Sequence, residues 1–181
     1  MRNAIVIVTG KKGSGKSQWV KTQLLPRALP AIVIDTMYEY GGYGRVYSAE
    51  SFFVALESGE SSNLAIIQDS FEGLEEVIDA AYSFKPHTLI VEEAHQFMSA
   101  YSISAPLERL ARQGRHRQIN IVAVTQRIGD FPERFISQAD HLILFQQRGR
   151  LDMPKLDKFL AVEVSARVRA LPLYEHIHVR L

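Results

Sequence analysis

Short apolar runs recur along the chain: AIVIV at residues 4–8, AIVI at 31–34, LAII at 64–67, TLIV at 88–91, INIVAV at 119–124 and HLILF at 141–145. Most are continuous rather than alternating and rich in β-branched residues, which is how strands buried on both faces read. The stretches between them carry a longer period. Leu74, Val77, Ile78 and Ala81 recur at i, i+3, i+4 and i+7, an amphipathic helix behind a D-x-x-E capping box at Asp69 and Glu72. Ile103, Leu107, Leu110 and Ala111 form a second stripe, opened by Ser104 as N-cap with Pro106 in the first turn and closed by Gly114. Residues 17–25 predict a helix that Pro26 stops, and 50–57 another with Phe53 and Leu56 inward; shorter helices are expected at 131–137 and 153–160. Residues 58–62 and 85–87 read as turns. Residues 162–181 alternate β-like positions about a turn near Leu171 and Pro172, which predicts a C-terminal β-hairpin.

Strands alternating with helices predict an α/β fold, a mostly parallel sheet with helices on both faces. No repeat or linker divides residues 1–181, so one domain is expected. In such sheets ligands bind beyond the carboxyl ends of the strands, so residues that directly follow strands are the ones to read for chemistry.

The strongest of these is GKKGSGKS at residues 10–17, directly after the first strand and opening the first helix. It fits G-x-x-x-x-G-K-[ST], the phosphate-binding P-loop. Gly10, Gly13 and Gly15 let the backbone approach a ligand closely, so that successive N–H groups line one concavity at the positive end of a helix. Lys16 is placed to reach the β- and γ-phosphates, and the Ser17 hydroxyl to ligate Mg²⁺. Lys11, Lys12, Ser14 and Gln18 complete the expected nucleotide contacts. A dinucleotide fingerprint is excluded, because Gln18 stands where its third glycine belongs.

The fourth apolar run delivers Glu92-Glu93, about 75 residues past the P-loop. A strand ending in acids is the Walker B pattern: Glu92 is expected to hold Mg²⁺, mostly through water, and Glu93 to accept a proton from an attacking water. His95, just beyond, reads as a packing histidine. Gln126 ends the next run, where a neutral donor and acceptor can orient water and sense the γ-phosphate. The loop TMYEYGGYG at 36–44 holds three tyrosines, which either pack on their own sheet edge or stack on bases.

Composition narrows the class. Hydrophobic residues make up 46% and charged residues 23%, ordinary for a soluble globular chain. The absence of cysteine excludes disulfides and thiolate metal sites. No apolar run approaches the roughly 20 residues of a membrane span, and the first is too short for a signal peptide, so a cytoplasmic location is expected. Net charge is +1 but uneven: residues 1–108 carry 8 Lys/Arg against 13 Asp/Glu, and residues 109–181 carry 13 against 7. Arg109, Arg112, Arg115 and Arg117 cluster in the basic part. They read as a solvated helix face, as DNA phosphate contacts, or as an arginine finger reaching a neighbouring subunit's site. Glu108 and Arg112, at i and i+4, can pair with each other. Arg115, beyond the helix end, is then the better finger candidate, with Arg148 and Arg150 behind it.

With these residues in place, the chain resembles the HerA/FtsK superfamily of DNA-pumping ATPases. IVEEAHQF at 90–97 and LARQGRHRQINIVAVTQR at 110–127 are similar to that family's IDEAH-like Walker B strand, GR-containing segment and strand ending in TQ. The ID-x-x-x-EY run at 34–40 is also similar to theirs. The resemblance covers roughly residues 4–147. It implies a RecA-like core assembled as a hexameric ring around DNA, with ATP and Mg²⁺ at Lys16, Ser17 and Glu92, Glu93 as base, Gln126 as sensor and Arg115 as finger. Two departures stand out, Glu92 for the usual aspartate and the small size. A core this small resembles viral genome-packaging ATPases, acting at a capsid or portal vertex in host cytoplasm or virion. Filamentous-phage assembly ATPases of the Zot type are the alternative, although these generally carry a membrane segment. Among other classes, a P-loop kinase has no need of Glu93, and a GTPase needs an N-K-x-D motif that none of Asn3, Asn63 and Asn120 begins. A module that uses ATP only to assemble is separated from these by turnover.

Overall fold

The computed structural model describes residues 4–60, 62–84 and 87–181. Eight strands form one sheet: β1 (Ile5–Thr9), β2 (Ala31–Ile34), β3 (Arg45–Tyr47), β4 (Leu64–Ile67), β5 (Thr88–Val91), β6 (Asn120–Thr125), β7 (His141–Phe145) and β8 (His176–Arg180). Their order is β3-β4-β2-β5-β6-β1-β7-β8. Every pair is parallel except β7–β8. The six apolar runs are β1, β2 and β4 to β7. β3 is too short and too exposed to leave a hydrophobic signature.

The sheet is covered on both faces, unevenly. Ile5 and Ile7 of β1 point into the larger core, built with α2 (Ala49–Glu57), α3 (Phe71–Ala81), α4 (Ala105–Gln113), α5 (Glu133–Ile136), α6 (Asp152–Phe159) and α7 (Val162–Ala170). Val6 and Val8 point into the smaller one, under α1 (Lys16–Trp19) and its continuation. A strand's side chains alternate between faces, so a run with a core on each side must be apolar throughout. β1 is central, between β6 and β7, and β6 separates it from the acid-bearing β5.

Several local expectations shift. The hairpin over 162–181 is not formed. Its first arm is α7, because Val164, Ser165 and Val168 make a helical face that packs on the core. β8 pairs instead with β7, His141 opposite Arg180. The helix after the P-loop passes through a π-helical turn at Val20–Leu24 into a 3₁₀ turn at Leu25–Arg27; Pro26 sits in that turn's opening, where it needs no N–H, and does not stop the chain. α2 buries Ala49, Phe52 and Ala55, not Leu56. Ser70, not Asp69, caps α3, accepting from the Gly73 amide at 3.3 Å. Asp69 instead accepts from the Ala49 amide at 2.6 Å, tying the starts of α2 and α3 together. Gly114 does not end α4 in a left-handed turn. At φ −59° it leads into a 3₁₀ turn, Gly114–Arg117, which Gln118 ends at φ +58°. Ser61, Lys85 and Pro86, read as turn residues, lie outside the described residues. Among the described residues no helix is long and apolar enough to cross a membrane.

Candidate active site

The P-loop follows β1 and is pinned from both flanking strands. The Gly10 amide donates to the Thr125 carbonyl of β6 at 3.3 Å, and the Lys11 amide to the Gln146 carbonyl after β7 at 2.8 Å. Gly10 is required by close approach, since a Cβ there would lie 2.5 Å from that of Phe145. Gly15 is required by conformation: it precedes α1 at φ +104°, open in practice to glycine alone. Lys16 is buried and donates to the Lys11 carbonyl at 3.2 Å, folding back over the loop. Burial lowers the Lys16 amine; Glu93, Glu92 and Glu39 oppose that by favouring its charge. The Ser14 hydroxyl is 1% exposed and has no protein partner, a polar atom enclosed by the loop and suited to a ligand oxygen.

β5 delivers both acids to the same edge. Glu93 sits at φ +45°, ψ +48°, left-handed backbone that costs a residue with a Cβ roughly 1–2 kcal/mol. The Gln126 amide, just past the end of the next strand, donates to Glu93 Oε1. His95 Nδ1 stands 3.2 Å from Glu93 Oε2. Burial would raise Glu93; the contacts with His95 and Gln126, and the charge of Lys16, outweigh it and hold the carboxyl below its usual range. Glu93 is therefore ionised at neutral pH, as a proton acceptor must be.

Glu92 is different. It is 4% exposed, and burial pushes its carboxyl up to about 7; Glu39 and Glu93 push the same way, while Tyr40 and Lys16 oppose them. Tyr40, fully buried, donates its hydroxyl to Glu92 Oε1. Burial, then Glu92, hold that phenol far above its usual range, so it stays a donor. The loop that carries Tyr40 is built by Asp35 at the end of β2. Its carboxylate accepts from the Glu39 amide at 3.0 Å, the Tyr40 amide at 2.9 Å and Gln68 Nε2 at 2.7 Å. Lys21 lies over the Tyr40 ring at 4.7 Å and pairs with Glu39 at 3.5 Å. The three loop tyrosines thus take three roles: Tyr40 holds the acid, Tyr43 packs on Tyr40 at 6.2 Å, and Tyr38 is exposed.

The basic cluster disperses. Arg109 pairs with Asp79 at 3.1 Å and lies over Tyr82, as does Arg117. Glu108 pairs with Arg134 rather than Arg112. Arg115 donates to both carboxylate oxygens of Asp140, at 3.0 and 2.9 Å, and to the Gln138 carbonyl at 3.1 Å. Asp140 in turn accepts from the Ile5 amide at 2.8 Å, at the amino end of β1. The length of β1 separates Arg115 from its own P-loop, on the order of 16 Å, more than an arginine side chain spans. Arg148 and Arg150 follow β7 at the P-loop edge.

The geometry thus brings Lys16, Glu92, Glu93 and Gln126 together and leaves Arg115 at the far edge. Sequence reading missed Tyr40 as the partner of Glu92 and His95 as the neighbour of Glu93. The EY of the 34–40 run and the histidine two places past Glu93 were the available signals.

No protein-family model matches the chain, and no curated protein matches it. Solved structures do. The genome-packaging NTPase B204 of Sulfolobus turreted icosahedral virus 2, in complex with AMPPCP, superposes with a TM-score of 0.84 at 22% identity, over 98% of this chain and 92% of that chain. B204 of Sulfolobus turreted icosahedral virus, a DNA-packaging ATPase, gives 0.82 at 22%, over 98% and 92%. VirB4 of Thermoanaerobacter pseudethanolicus gives 0.70 at 12%, over 97% and 88%. At these identities the likeness establishes the fold: that of the P-loop ATPases, RecA-like, the fold of the viral packaging NTPases that the sequence resembles.

Proposed function

We propose that the chain is an ATP-hydrolysing motor that moves DNA, a viral genome-packaging ATPase working as an oligomeric ring at a capsid vertex, in host cytoplasm or virion. The observation that carries this reading is the convergence on one sheet edge of a P-loop lysine and an ionised, strained Glu93 held by Gln126. Lys16 faces the β- and γ-phosphates. Glu93 takes a proton from water as its oxygen bonds to the γ-phosphorus and the bond to the β-phosphate oxygen breaks, leaving ADP and phosphate. Gln126, already on Glu93, holds that water in line. A kinase would have to keep water away from such a base. The B204 structures include complexes with AMPPCP and ATP-γ-S, which supports a nucleotide at the equivalent loop here.

Mg²⁺ fits the residues present. Among the described residues no group of three or more His, Asp and Glu could hold a metal unaided. Mg²⁺ needs only one or two protein oxygens beside phosphates and waters, and Ser17 with the buried Glu92 supply a hard-oxygen pair of that kind. When bound, the ion neutralises charge on the phosphates. Tyr40 then has a definite task, orienting Glu92. Tyr40→Phe keeps the buried ring and removes the donor that favours ionised Glu92. The Mg²⁺ concentration for half-maximal hydrolysis is expected to rise several-fold, with nucleotide affinity in EDTA unchanged. Because Glu92 ionises as pH rises through about 7, the wild-type Mg²⁺ requirement should fall from pH 6 to 8. An unchanged requirement in Tyr40→Phe would remove Tyr40 from this role.

The motor reading is tested by turnover and binding together. Duplex DNA is expected to raise the ATPase rate of the assembled protein, with native mass measurement giving the ring size. Sequence-independent binding through phosphates should weaken roughly tenfold or more between about 50 and 200 mM salt. Turnover indifferent to DNA, with salt-insensitive binding, would sink the motor and leave only the ATPase.

A further inference from the structure

The P-loop has two sides. Towards β5 and β6 lie the acids and Gln126, which fix where a γ-phosphate goes. Whatever else the nucleotide carries must leave on the other side, towards β7 and β8. There the structure has a groove of about 510 Å³, whose lining includes Gln18, Thr22, Arg27, Phe145, Tyr174 and His176, with Trp19 in its wall.

Tyr174 is the unusual member. It holds φ +69°, backbone that an aromatic residue rarely takes. Its amide donates to the Ser14 carbonyl of the P-loop at 3.0 Å, so this turn before β8 is fastened to the phosphate cradle. A Cβ on Gly15 would come within 2.9 Å of Tyr174 Cδ1, so the ring already lies against the glycine that opens α1. The residue is nevertheless 70% exposed. Beyond it His176 packs on Phe145 at 5.3 Å and edge-on to Trp19 at 5.6 Å, continuing an aromatic wall. Gln18 and Thr22 supply neutral donors and acceptors at the rim. Flat aromatic surface with polar groups and one guanidinium, Arg27, beside it suits a heteroaromatic base, on which a guanidinium can also stack.

We propose that this groove is the nucleobase seat and that Tyr174 is its stacking platform, an inference that rests on the nucleotide reading above. A C-terminal turn far from the P-loop in sequence thereby contributes to nucleotide recognition, and the ribose passes over Gln18 on its way from cradle to seat.

Trp19 is the only tryptophan and lines the groove, so its emission reports on it. With the wild-type protein and Mg²⁺, AMPPCP is expected to change Trp19 emission and inorganic tripolyphosphate to bind without doing so. Tyr174→Asn removes the ring and keeps a residue tolerant of left-handed backbone. It should bind AMPPCP roughly 5- to 150-fold more weakly, the range alanine substitution gives for base stacking, and tripolyphosphate as before. Tyr174→Phe should bind both like wild type. AMPPCP affinity in Tyr174→Asn within about twofold of wild type, or equal loss of both ligands, would overturn the seat while Lys16→Ala still abolished binding of both. A wild-type protein that binds neither ligand would overturn the nucleotide reading itself, and the seat with it.

Discussion

Glu93→Gln is expected to bind ATP and Mg²⁺ as wild type does and to turn over at least a hundredfold more slowly. The substitution preserves shape. An amide oxygen at position 93 can still accept from Gln126, and glutamine tolerates φ +45° no worse than glutamate. What disappears is the group that takes the proton, and general-base catalysis is typically worth 10²–10⁴ in rate. The loss should therefore appear in kcat, with nucleotide affinity retained. Glu92→Gln should show the opposite weighting, a blunted response to Mg²⁺, because Glu92 is the buried acid at about 7 and Glu93 the ionised one. Single-turnover hydrolysis beside equilibrium binding separates the two. If the phenotypes came out exchanged, the acids would have to trade roles.

Arg115→Ala is expected to lose most of its turnover with little loss of fold, and mixing is expected to restore part of it. Within its own chain Arg115 cannot reach the P-loop, so any catalytic role is in a neighbour's site. There a guanidinium spreading over γ-phosphate oxygens is worth about 10³–10⁵ in other NTPases. At rest the side chain is half exposed and held by Asp140. Removing an exposed pair of that kind costs about 0–1 kcal/mol, so the thermal midpoint should hardly move. Loss of rate at constant stability is what distinguishes a finger from a brace. Rings mixed from Arg115→Ala and Glu93→Gln place some intact Glu93 sites against intact Arg115, and activity should partly return. If rings shown by native mass measurement to be mixed stay inactive, Arg115 is excluded and Arg148 and Arg150 become the pair to test.

Much of this fold and site is legible in the sequence alone. The interior strands announced themselves because burial on both faces forces continuous apolar runs, whereas the exposed β3 left no such trace. The P-loop was legible because one contiguous segment makes the whole cradle, and Glu92, Glu93 and Gln126 because strand ends share an edge whatever the strand order. What escaped was set by contact across the chain. Val164 and Val168, four apart, satisfy a strand period and a helix period alike, and the core decided for α7. Asp69 looks like a cap from its spacing to Glu72, yet the amide of Ala49, 20 positions back, claims its carboxylate. Tyr40 on Glu92, Arg115 on Asp140 and Tyr174 on Ser14 join residues 52, 25 and 160 positions apart, and no local pattern encodes such pairs.

The carboxylate of Asp140 has a mechanical meaning. One oxygen, Oδ2, accepts from Ile5 at 2.8 Å and from Arg115 at 2.9 Å. Ile5 begins β1, and β1 ends at the phosphate cradle. The strand is buried along its whole length and clamped by β6 and β7, so it behaves as a stiff strut rather than a tether. When Arg115 leaves Asp140, the Ile5 amide keeps that carboxylate's Oδ2 without a competing donor, at the start of the strand that carries the P-loop at its other end. In the proposed ring, the arginine offered to one subunit's nucleotide rests on the same carboxylate as the strand that carries its own subunit's P-loop.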